Sequence, residues 1–191
     1  MPRTREQFSE MKDERRTAIL KAALPLFSLG QKVTIDMIAD KAKCSHGIVY
    51  HYYKNVDQIL DKLLKNSTYV ELRQNLFNVE GSSYEKIEHI ISNLLDVSKE
   101  KLENVCYFNM IIRENEKTSL RFLLTKLVKD GQAANTIIGG DPNQLVDAVF
   151  LMLKGIYLTF LLEKHPDIKV PSCETVMQLL RKPTNFGHQI L

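Results

Sequence analysis

A short run of polar and aromatic side chains in the first third of the chain offers hydroxyl, imidazole and amine groups at close spacing. On a helix that starts after Ser45, His46 and Tyr50 share one face, whereas Val49 and Tyr53 lie on another and would pack inward. Tyrosine hydroxyls can reach phosphates or base edges, and tyrosine rings can touch a thymine methyl group. The spacing therefore predicts a surface suited to nucleic acid, carried by a short helix that is anchored on its other side.

Two neighbouring helices must hold that short helix in place. An apolar stripe with helical spacing runs from Ile19 to Phe27, and Gly30 follows where a left-handed cap is expected. Thr34 is the predicted N-cap of a second helix, whose buried stripe is Ile35, Ile38, Ala39 and Ala42. Two short helices at an angle need a third to bury their surface, and this trio predicts a helix-turn-helix module.

The fourth helix is predicted to start at a capping pair, Asn55 and Gln58, and to be long. Beyond it, helical stripes recur without strand alternation or internal repeats, and Asp141 with Pro142 marks another helix start. Further predicted boundaries are the Gly81-Ser82-Ser83 turn, the His165-Pro166 stop, a Ser172 cap and a tail from Pro183. The predicted fold class is all-α with about nine helices. A helix-turn-helix domain, here called the head, covers residues 1–57, and a helical-bundle domain, here called the body, covers residues 58–191.

The positive charge is concentrated in the head. Residues 1–65 carry twelve Lys and Arg against eight Asp and Glu, whereas the rest carries fourteen against fifteen. A polyanionic partner would therefore bind at the head, although an ordinary asymmetry of surface charge gives the same counts. An N-terminal arm is a second open question, because the cations that could follow a phosphate backbone are interspersed with acidic residues: Arg3, Arg5, Lys12, Arg15 and Arg16.

The segment from Thr34 to Asn55 resembles the DNA-binding motif of the tetracycline-repressor (TetR) family. Its most specific part is the Tyr50-His51-Tyr52-Tyr53 run, followed by Lys54 and Asn55. The stripe of the first helix, with Gly30 after it, also matches that family. The resemblance covers about the first 65 residues, and the remainder agrees in length and helicity.

The resemblance implies a ligand-responsive transcriptional regulator, a repressor that binds a palindromic operator in double-stranded DNA as a homodimer. A small-molecule effector bound in the body would release the DNA. By position, the residues implied to face DNA are Thr34, Ser45, His46, Gly47, Ile48, Tyr50 and Tyr52, with Lys54 near a phosphate.

Three positions depart from the family pattern. Lys43 stands where a turn glycine is usual, and a left-handed backbone there would cost about 1 kcal/mol. Ile48 replaces a frequent small polar residue. Val56 stands where a lysine often opens the fourth helix, and a valine offers no positive charge to a phosphate.

The body is predicted to bind a small-molecule effector and to form a homodimer. Aromatic and sulfur side chains between its helices, with one cation, form the candidate lining for an apolar or aromatic effector, although each could be ordinary core: Tyr69, Phe77, Phe108, Met110, Arg113, Phe122 and Phe150. The stretch Ala148–Leu162 is apolar nearly all round, so we expect one side to face a partner subunit. The predicted dimer interface is Leu145, Val149, Met152, Gly155, Ile156, Phe160, Val176 and Leu180.

Other functional classes have weaker support. The sequence lacks G-x-S-x-G, H-E-x-x-H and phosphate-loop motifs, so we predict no catalysis and no cofactor. Cys44, His46 and His51 do not have the spacing of a closed zinc set, so no metal is expected. Odd, scattered cysteines and the absence of a signal-peptide core predict a cytoplasmic protein without a membrane span. A helical-bundle enzyme and an interaction module that does not bind DNA remain the alternatives.

Overall fold

The computed structural model describes residues 5–96, 102–114, 119–163 and 169–182, with side chains from residue 10 onward. Ten α-helices and no β-strand occur in this part of the chain, which confirms the all-α class. They are α1 (Arg5–Ser28), α2 (Ile35–Lys41), α3 (His46–Tyr52), α4 (Val56–Leu64), α5 (Ser67–Phe77), α6 (Ser83–Leu95), α7 (Leu102–Ile112), α8 (Leu120–Ala133), α9 (Pro142–Leu162) and α10 (Cys173–Leu180). Arg3, the Arg5 side chain, His165-Pro166 and the tail from Pro183 lie outside the described residues.

The predicted long fourth helix is two helices. α4 ends at Leu64, and the Asn66 side chain accepts a 2.8 Å hydrogen bond from the Thr68 amide at the start of α5. An asparagine that binds a nearby backbone amide competes with continued helix. This break explains why the described residues contain ten helices where about nine were predicted.

The chain divides into two compact units whose boundaries differ from the predicted division at residue 57. The first unit comprises Met1–Arg73 and Lys101–Arg113, and the second comprises Gln74–Glu100 and Glu114–Leu191. α4 and α7 therefore belong with the helix-turn-helix segment. The reason is packing, because α1 lies against α2, α4 and α7.

The core of the first unit forms around α1. Its predicted stripe is buried at Ile19, Ala22, Ala23 and Leu26, and the facing helices bury apolar side chains of their own: Ile35, Ile38 and Ala39 of α2, Val49 of α3, and Ile59 and Leu63 of α4. Gly30 has the predicted left-handed backbone, with φ of 69°. Full burial of one such aliphatic side chain is favourable by about 1.5–3 kcal/mol, so this cluster fixes α2 and α3 against α1.

α7 contacts the C-terminal end of α1 through polar groups. The buried Asn109 amide donates a 2.8 Å hydrogen bond to the Ser28 carbonyl, and Arg113 lies 3.4 Å from the Gly30 carbonyl. A Cβ at Gly30 would lie 1.6 Å from the Arg113 guanidinium. Glycine at position 30 therefore serves both the left-handed turn and this close approach.

The second unit is a bundle built on α6. The apolar stripe of α6 (Ile87, Ile90, Ile91, Leu94 and Leu95) is buried, and α8 and α10 pack against this helix while α9 packs against α8. The predicted turn at residues 81–83 leads into a capping box of Ser82 and Glu85, whose hydrogen bonds lower the pKa of the Glu85 carboxyl. The predicted Asp141–Pro142 start and the Ser172 cap are also confirmed. The buried Tyr157 hydroxyl donates a 2.7 Å hydrogen bond to the Leu94 carbonyl, joining α9 to the end of α6.

α9 has two apolar sides with different surroundings. Of the described helices, it alone is long and apolar enough to cross a membrane, by a test of length and composition that core helices of soluble proteins also pass. One side is buried through Val146, Val149, Phe150, Leu153, Ile156 and Tyr157. The other side is exposed, and we call it the α9 stripe: Ala148, Leu151, Gly155, Leu158 and Leu162.

Candidate nucleic-acid interface

Capped ends define the turn between α2 and α3. The Thr34 hydroxyl accepts a hydrogen bond from the Met37 amide, and the Ser45 hydroxyl accepts one from the Ile48 amide, both at 3.3 Å. Both predicted N-caps are thereby confirmed. Because each cap satisfies an amide that has no partner within its helix, the starts of α2 and α3 are fixed without tertiary contacts.

Lys43 has a left-handed backbone in this turn, with φ of 51°. The Cys44 amide closes the turn by donating a 3.0 Å hydrogen bond to the Ala39 carbonyl. A residue with a Cβ is strained in that region by about 1 kcal/mol relative to glycine. The geometry that the family glycine would favour is therefore kept by a lysine, at a cost in stability.

α3 has one buried side and one open side. Val49 and Tyr53 are buried, as predicted, whereas Tyr50 is 57% exposed. His46 and Gly47 are also exposed, and Ile48 and Tyr52 are half-buried. The ring of Tyr53 is part of the core, whereas the ring of Tyr50 remains in water. The outward side of α3 is therefore available to a partner.

A cation and two aromatic rings brace the far end of α3. The His51 and Tyr52 rings meet edge to face with centroids 5.0 Å apart, and the Arg16 guanidinium lies 5.9 Å from the Tyr52 ring centroid. Arg16 also pairs with Asp13 at 3.5 Å. Arg16 therefore contributes to the packing of α1 on α3, whatever its role toward phosphate. Burial raises the pKa of the neighbouring Tyr53 hydroxyl, and Arg16 partly offsets the rise.

Reciprocal hydrogen bonds start α4. The Asn55 side chain accepts from the Gln58 amide at 2.9 Å, and the Gln58 side chain accepts from the Lys54 amide at 2.7 Å. The predicted Asn55–Gln58 pair is thus confirmed. It fixes the backbone of Lys54, whose exposed side chain stands just after α3, while Val56 is half-buried.

One polar neighbour of the open side was not predicted. The Asp36 carboxylate lies 3.3 Å from Nδ1 of His46, and both side chains are mostly exposed. These residues are ten apart in the sequence and belong to different helices. The only sequence signal for the contact is that they stand at the starts of the two helices joined by the turn. The structure places Thr34, Ser45, His46, Gly47, Ile48, Tyr50, Tyr52 and Lys54 in the first unit, on or beside the α2–α3 segment.

The predicted effector residues are split between the units. Tyr69, Phe108, Met110 and Arg113 belong to the first unit, and Phe77, Phe122 and Phe150 to the second. Tyr69 meets Tyr107 edge to face with centroids 5.7 Å apart. Phe122 is 55% exposed, whereas Phe108 and Phe150 are buried. Effector binding by this set stays a prediction.

A small apolar cavity lies inside the second unit. Its volume is about 10 Å³, and its walls are Ile87, Ile91, Leu124, Val128, Leu145, Val146, Val149 and Leu180. This is about the space of one water molecule and is too small for an effector. None of the predicted effector residues lines it. Nor do the described residues contain a cluster of three or more His, Cys, Asp and Glu side chains placed to hold a metal.

Burial corrects part of the predicted dimer interface. Val149, Ile156, Val176 and Leu180 lie in the core of the second unit and cannot provide a surface for a partner. Leu145, Met152 and Phe160 are half-buried, and Gly155 is exposed. Helical periodicity did not separate the two sides of α9, because that helix is apolar on nearly every side. The large apolar side chains that are exposed here are Leu151, Leu158 and Leu162 of the α9 stripe, and Leu179 of α10.

Several solved structures share this fold. A tetR-family regulatory protein from Rhodococcus RHA1 aligns with a TM-score of 0.59 and 13% identity, over 89% of this chain and 98% of that one. NalD, the secondary repressor of the MexAB-OprM multidrug efflux pump in Pseudomonas aeruginosa, aligns with a TM-score of 0.53 and 17% identity, over 89% and 98%. The SmeT–triclosan complex gives 0.52 and 14%, over 88% and 92%. No family model matches the sequence, and no curated protein does. The chain therefore has the fold of TetR-family regulators.

Proposed function

We propose that this protein is a DNA-binding transcriptional regulator of the TetR family that places α3 in the major groove. The observation that carries the proposal is the two-sided character of α3, with Val49 and Tyr53 buried and Tyr50 open to solvent. A helix-turn-helix module directs the N-terminal residues of its second helix toward base edges. The alternative of a small helical core would bury Tyr50 as well.

Each predicted contact has a matching chemical capability. His46, Tyr50 and Tyr52 carry groups that can hydrogen-bond to bases or phosphates, and Ile48 can contact a thymine methyl group. Gly47 has no heavy atom closer than 3.9 Å to a hypothetical Cβ, so a duplex backbone can approach it. The capping hydroxyls of Thr34 and Ser45 accept amide hydrogen bonds and can still donate their protons to phosphate. The exposed Lys54 supplies a positive charge at the end of α3.

Selection from random duplexes tests this proposal. The full-length protein should enrich a sequence composed of two related half-sites, and binding should weaken steeply as salt rises because counterions are released. A protein that enriches no sequence, or whose binding is insensitive to salt, does not bind DNA in this way. Genomic duplexes from upstream of its own gene provide a second pool.

The dimer in this proposal is formed by the α9 stripe together with the exposed side of α10. Leu151 is 69% exposed and Leu162 is 66% exposed, on a helix that is otherwise apolar and packed. Large exposed apolar residues at three- and four-residue spacing form a continuous face, and such faces are typical of helix-to-helix interfaces. Two-fold pairing would give two α3 helices and hence a palindromic operator with half-sites spaced by about 34–36 Å per helical turn.

The proposed regulator is a repressor that responds to a small apolar or aromatic molecule. NalD is a repressor, and SmeT is complexed with triclosan. A protein of this kind works without catalysis, in the cytoplasm where its operator lies. Triclosan is a suitable first probe. Release of the selected operator on its addition supports an aromatic effector, and retained binding means that triclosan is not an effector of this protein.

A further inference from the structure

We infer that Asp36 and His46 act together as a specificity determinant, in which the carboxylate fixes the imidazole tautomer and His46 offers Nε2 to DNA as a hydrogen-bond acceptor. The inference rests on the proposed function, which places α3 in the major groove. It adds the kind of base feature that one side chain selects.

The geometry comes from two rigid helix starts. Asp36 stands in the first turn of α2, which Thr34 caps, and His46 is the first residue of α3, which Ser45 caps. The turn brings Oδ1 of Asp36 to 3.3 Å from Nδ1 of His46. The Asp36 and His46 side chains are 71% and 55% exposed, so the pair stands on the open side of the module.

The chemistry of the two groups sets which imidazole nitrogen of His46 carries the proton. An ionised carboxylate carries negative charge and can only accept, so its position 3.3 Å from Nδ1 of His46 favours the tautomer in which Nδ1 carries the proton. In a neutral imidazole the other nitrogen then has a lone pair and no proton, because the hydrogen bond at one nitrogen decides the state of the other. Nε2 is therefore an acceptor, and it is the ring nitrogen that Asp36 leaves available.

An acceptor distinguishes two groups of bases in the major groove. Adenine N6 and cytosine N4 are amino donors there, whereas guanine O6 and thymine O4 are acceptors. His46 should thus favour an amino-bearing base over a keto-bearing base on one strand, at one position in each half-site. A single well-placed hydrogen bond corresponds to a preference of about tenfold.

The competing explanation is a surface ion pair that only steadies the turn. Exposed pairs contribute little to folding, and such a pair would leave base preference unchanged when it is broken. Removal of the Asp36 charge would also raise the affinity for every duplex through reduced repulsion of phosphate. A matched variant must therefore remove the same charge from the same helix, and Asp40→Asn does so at another exposed position.

The experiment compares four full-length proteins in parallel random-duplex selections: wild type, Asp36→Asn, His46→Ala and Asp40→Asn. An asparagine amide can either donate to Nδ1 or accept from it, so Asp36→Asn permits both tautomers. We expect the amino-over-keto preference at one position per half-site to fall from about tenfold to about twofold or less in Asp36→Asn and in His46→Ala. The other positions of the operator should keep their preferences, and Asp40→Asn should keep them all.

The outcomes separate this inference from the proposed function. If the wild type selects an operator and Asp36→Asn selects the same sequence with the same preferences, the specificity role of Asp36 is wrong while DNA binding stands. If the base preferences at all positions weaken equally in Asp36→Asn and Asp40→Asn, the effect comes from charge alone and the inference is also overturned. A wild type that selects nothing refutes the proposed function, and this inference with it. Thermal melting of each variant verifies that the fold is retained.

Discussion

The Asn109 side chain donates a 2.8 Å hydrogen bond to the Ser28 carbonyl, linking the middle of α7 to the last residue of α1 across 81 positions of sequence. Both residues are buried, and the Ser28 hydroxyl in turn donates to the Pro25 carbonyl at 2.9 Å. Carbonyls at a helix end lack partners within the helix, so a buried one needs an external donor. Asn109 supplies that donor, which explains why a polar side chain stands in the otherwise apolar run of α7.

Replacement of Asn109 by alanine should lower the free energy of unfolding by about 1–3 kcal/mol, since a buried carbonyl loses its partner. Chemical denaturation measures the change. Asn93→Ala is the matched control, because the Asn93 side chain donates a hydrogen bond of equal length, 2.8 Å, to an exposed site at the His89 carbonyl. Water can replace that bond, so the control should lose much less. Equal losses in the two variants would contradict the role assigned to Asn109.

Replacement of Lys43 by glycine should stabilise the protein by roughly 0.5–1 kcal/mol, because its φ of 51° strains any residue with a Cβ. The same denaturation measurement detects the gain. Lys43→Ala removes the lysine side chain but keeps the Cβ, so it should leave stability nearly unchanged. A gain in the alanine variant as large as that in the glycine variant would point to the lysine charge instead of the backbone.

The Cys106 thiol should make stability fall at alkaline pH. Burial raises its pKa from 9.0 to about 11, so the folded state favours the neutral thiol. This contribution is complete below pH 9 and is lost as the pH rises toward 11, because the unfolded state ionises first. Cys106→Ala removes this dependence, so the stability difference between wild type and variant should shrink by about 2 kcal/mol between pH 8 and pH 10.5. A difference that stays constant over that range would show that Cys106 does not titrate in this way.

Tyr50 and Tyr53 should respond in opposite ways to truncation, because one is exposed and the other is buried. Tyr50→Ala should weaken binding to the selected operator by about tenfold or more and leave the melting temperature nearly unchanged. Tyr53→Ala should lower the free energy of unfolding by about 3 kcal/mol or more through loss of core packing. Operator titration and thermal melting of both variants test this. A Tyr50→Ala protein that melts early while its folded fraction binds normally would refute the assignment.

Gly155 should matter to the proposed dimer and not to the fold of the subunit. No heavy atom lies within 4 Å of a Cβ built there, so Gly155→Leu fits the isolated chain and removes a flexible residue from a helix interior. At a two-fold interface the added side chain would hold the helices apart. We expect a larger share of monomer by analytical ultracentrifugation, without loss of helix content. Lys129→Leu, which adds an apolar side chain to an exposed position of α8, should leave association unchanged.

Sequence alone determined the features that depend on neighbours along the chain. The caps at Thr34, Ser45 and Asp141 are local, since each joins a side chain to an amide two or three residues on. The stripe of α6 is equally plain, because its apolar residues recur at helical spacing with polar residues between them. The inward position of Val49 and Tyr53 followed from the same spacing on α3. Such features need no knowledge of what packs against them.

Tertiary structure alone decided the features that depend on distant partners. α9 is apolar on nearly all sides, so periodicity could not say which side enters the core. Tertiary packing buried Val149 and Ile156 and left Leu151 and Leu158 in water. The place of α7 in the first unit follows from its packing on α1 and the Asn109 hydrogen bond, between residues far apart in sequence. The contact of Asp36 with His46 likewise depends on how the turn orients two helices. These outcomes rest on the burial of surfaces and the satisfaction of polar groups across the whole fold, which residue spacing along one chain does not encode.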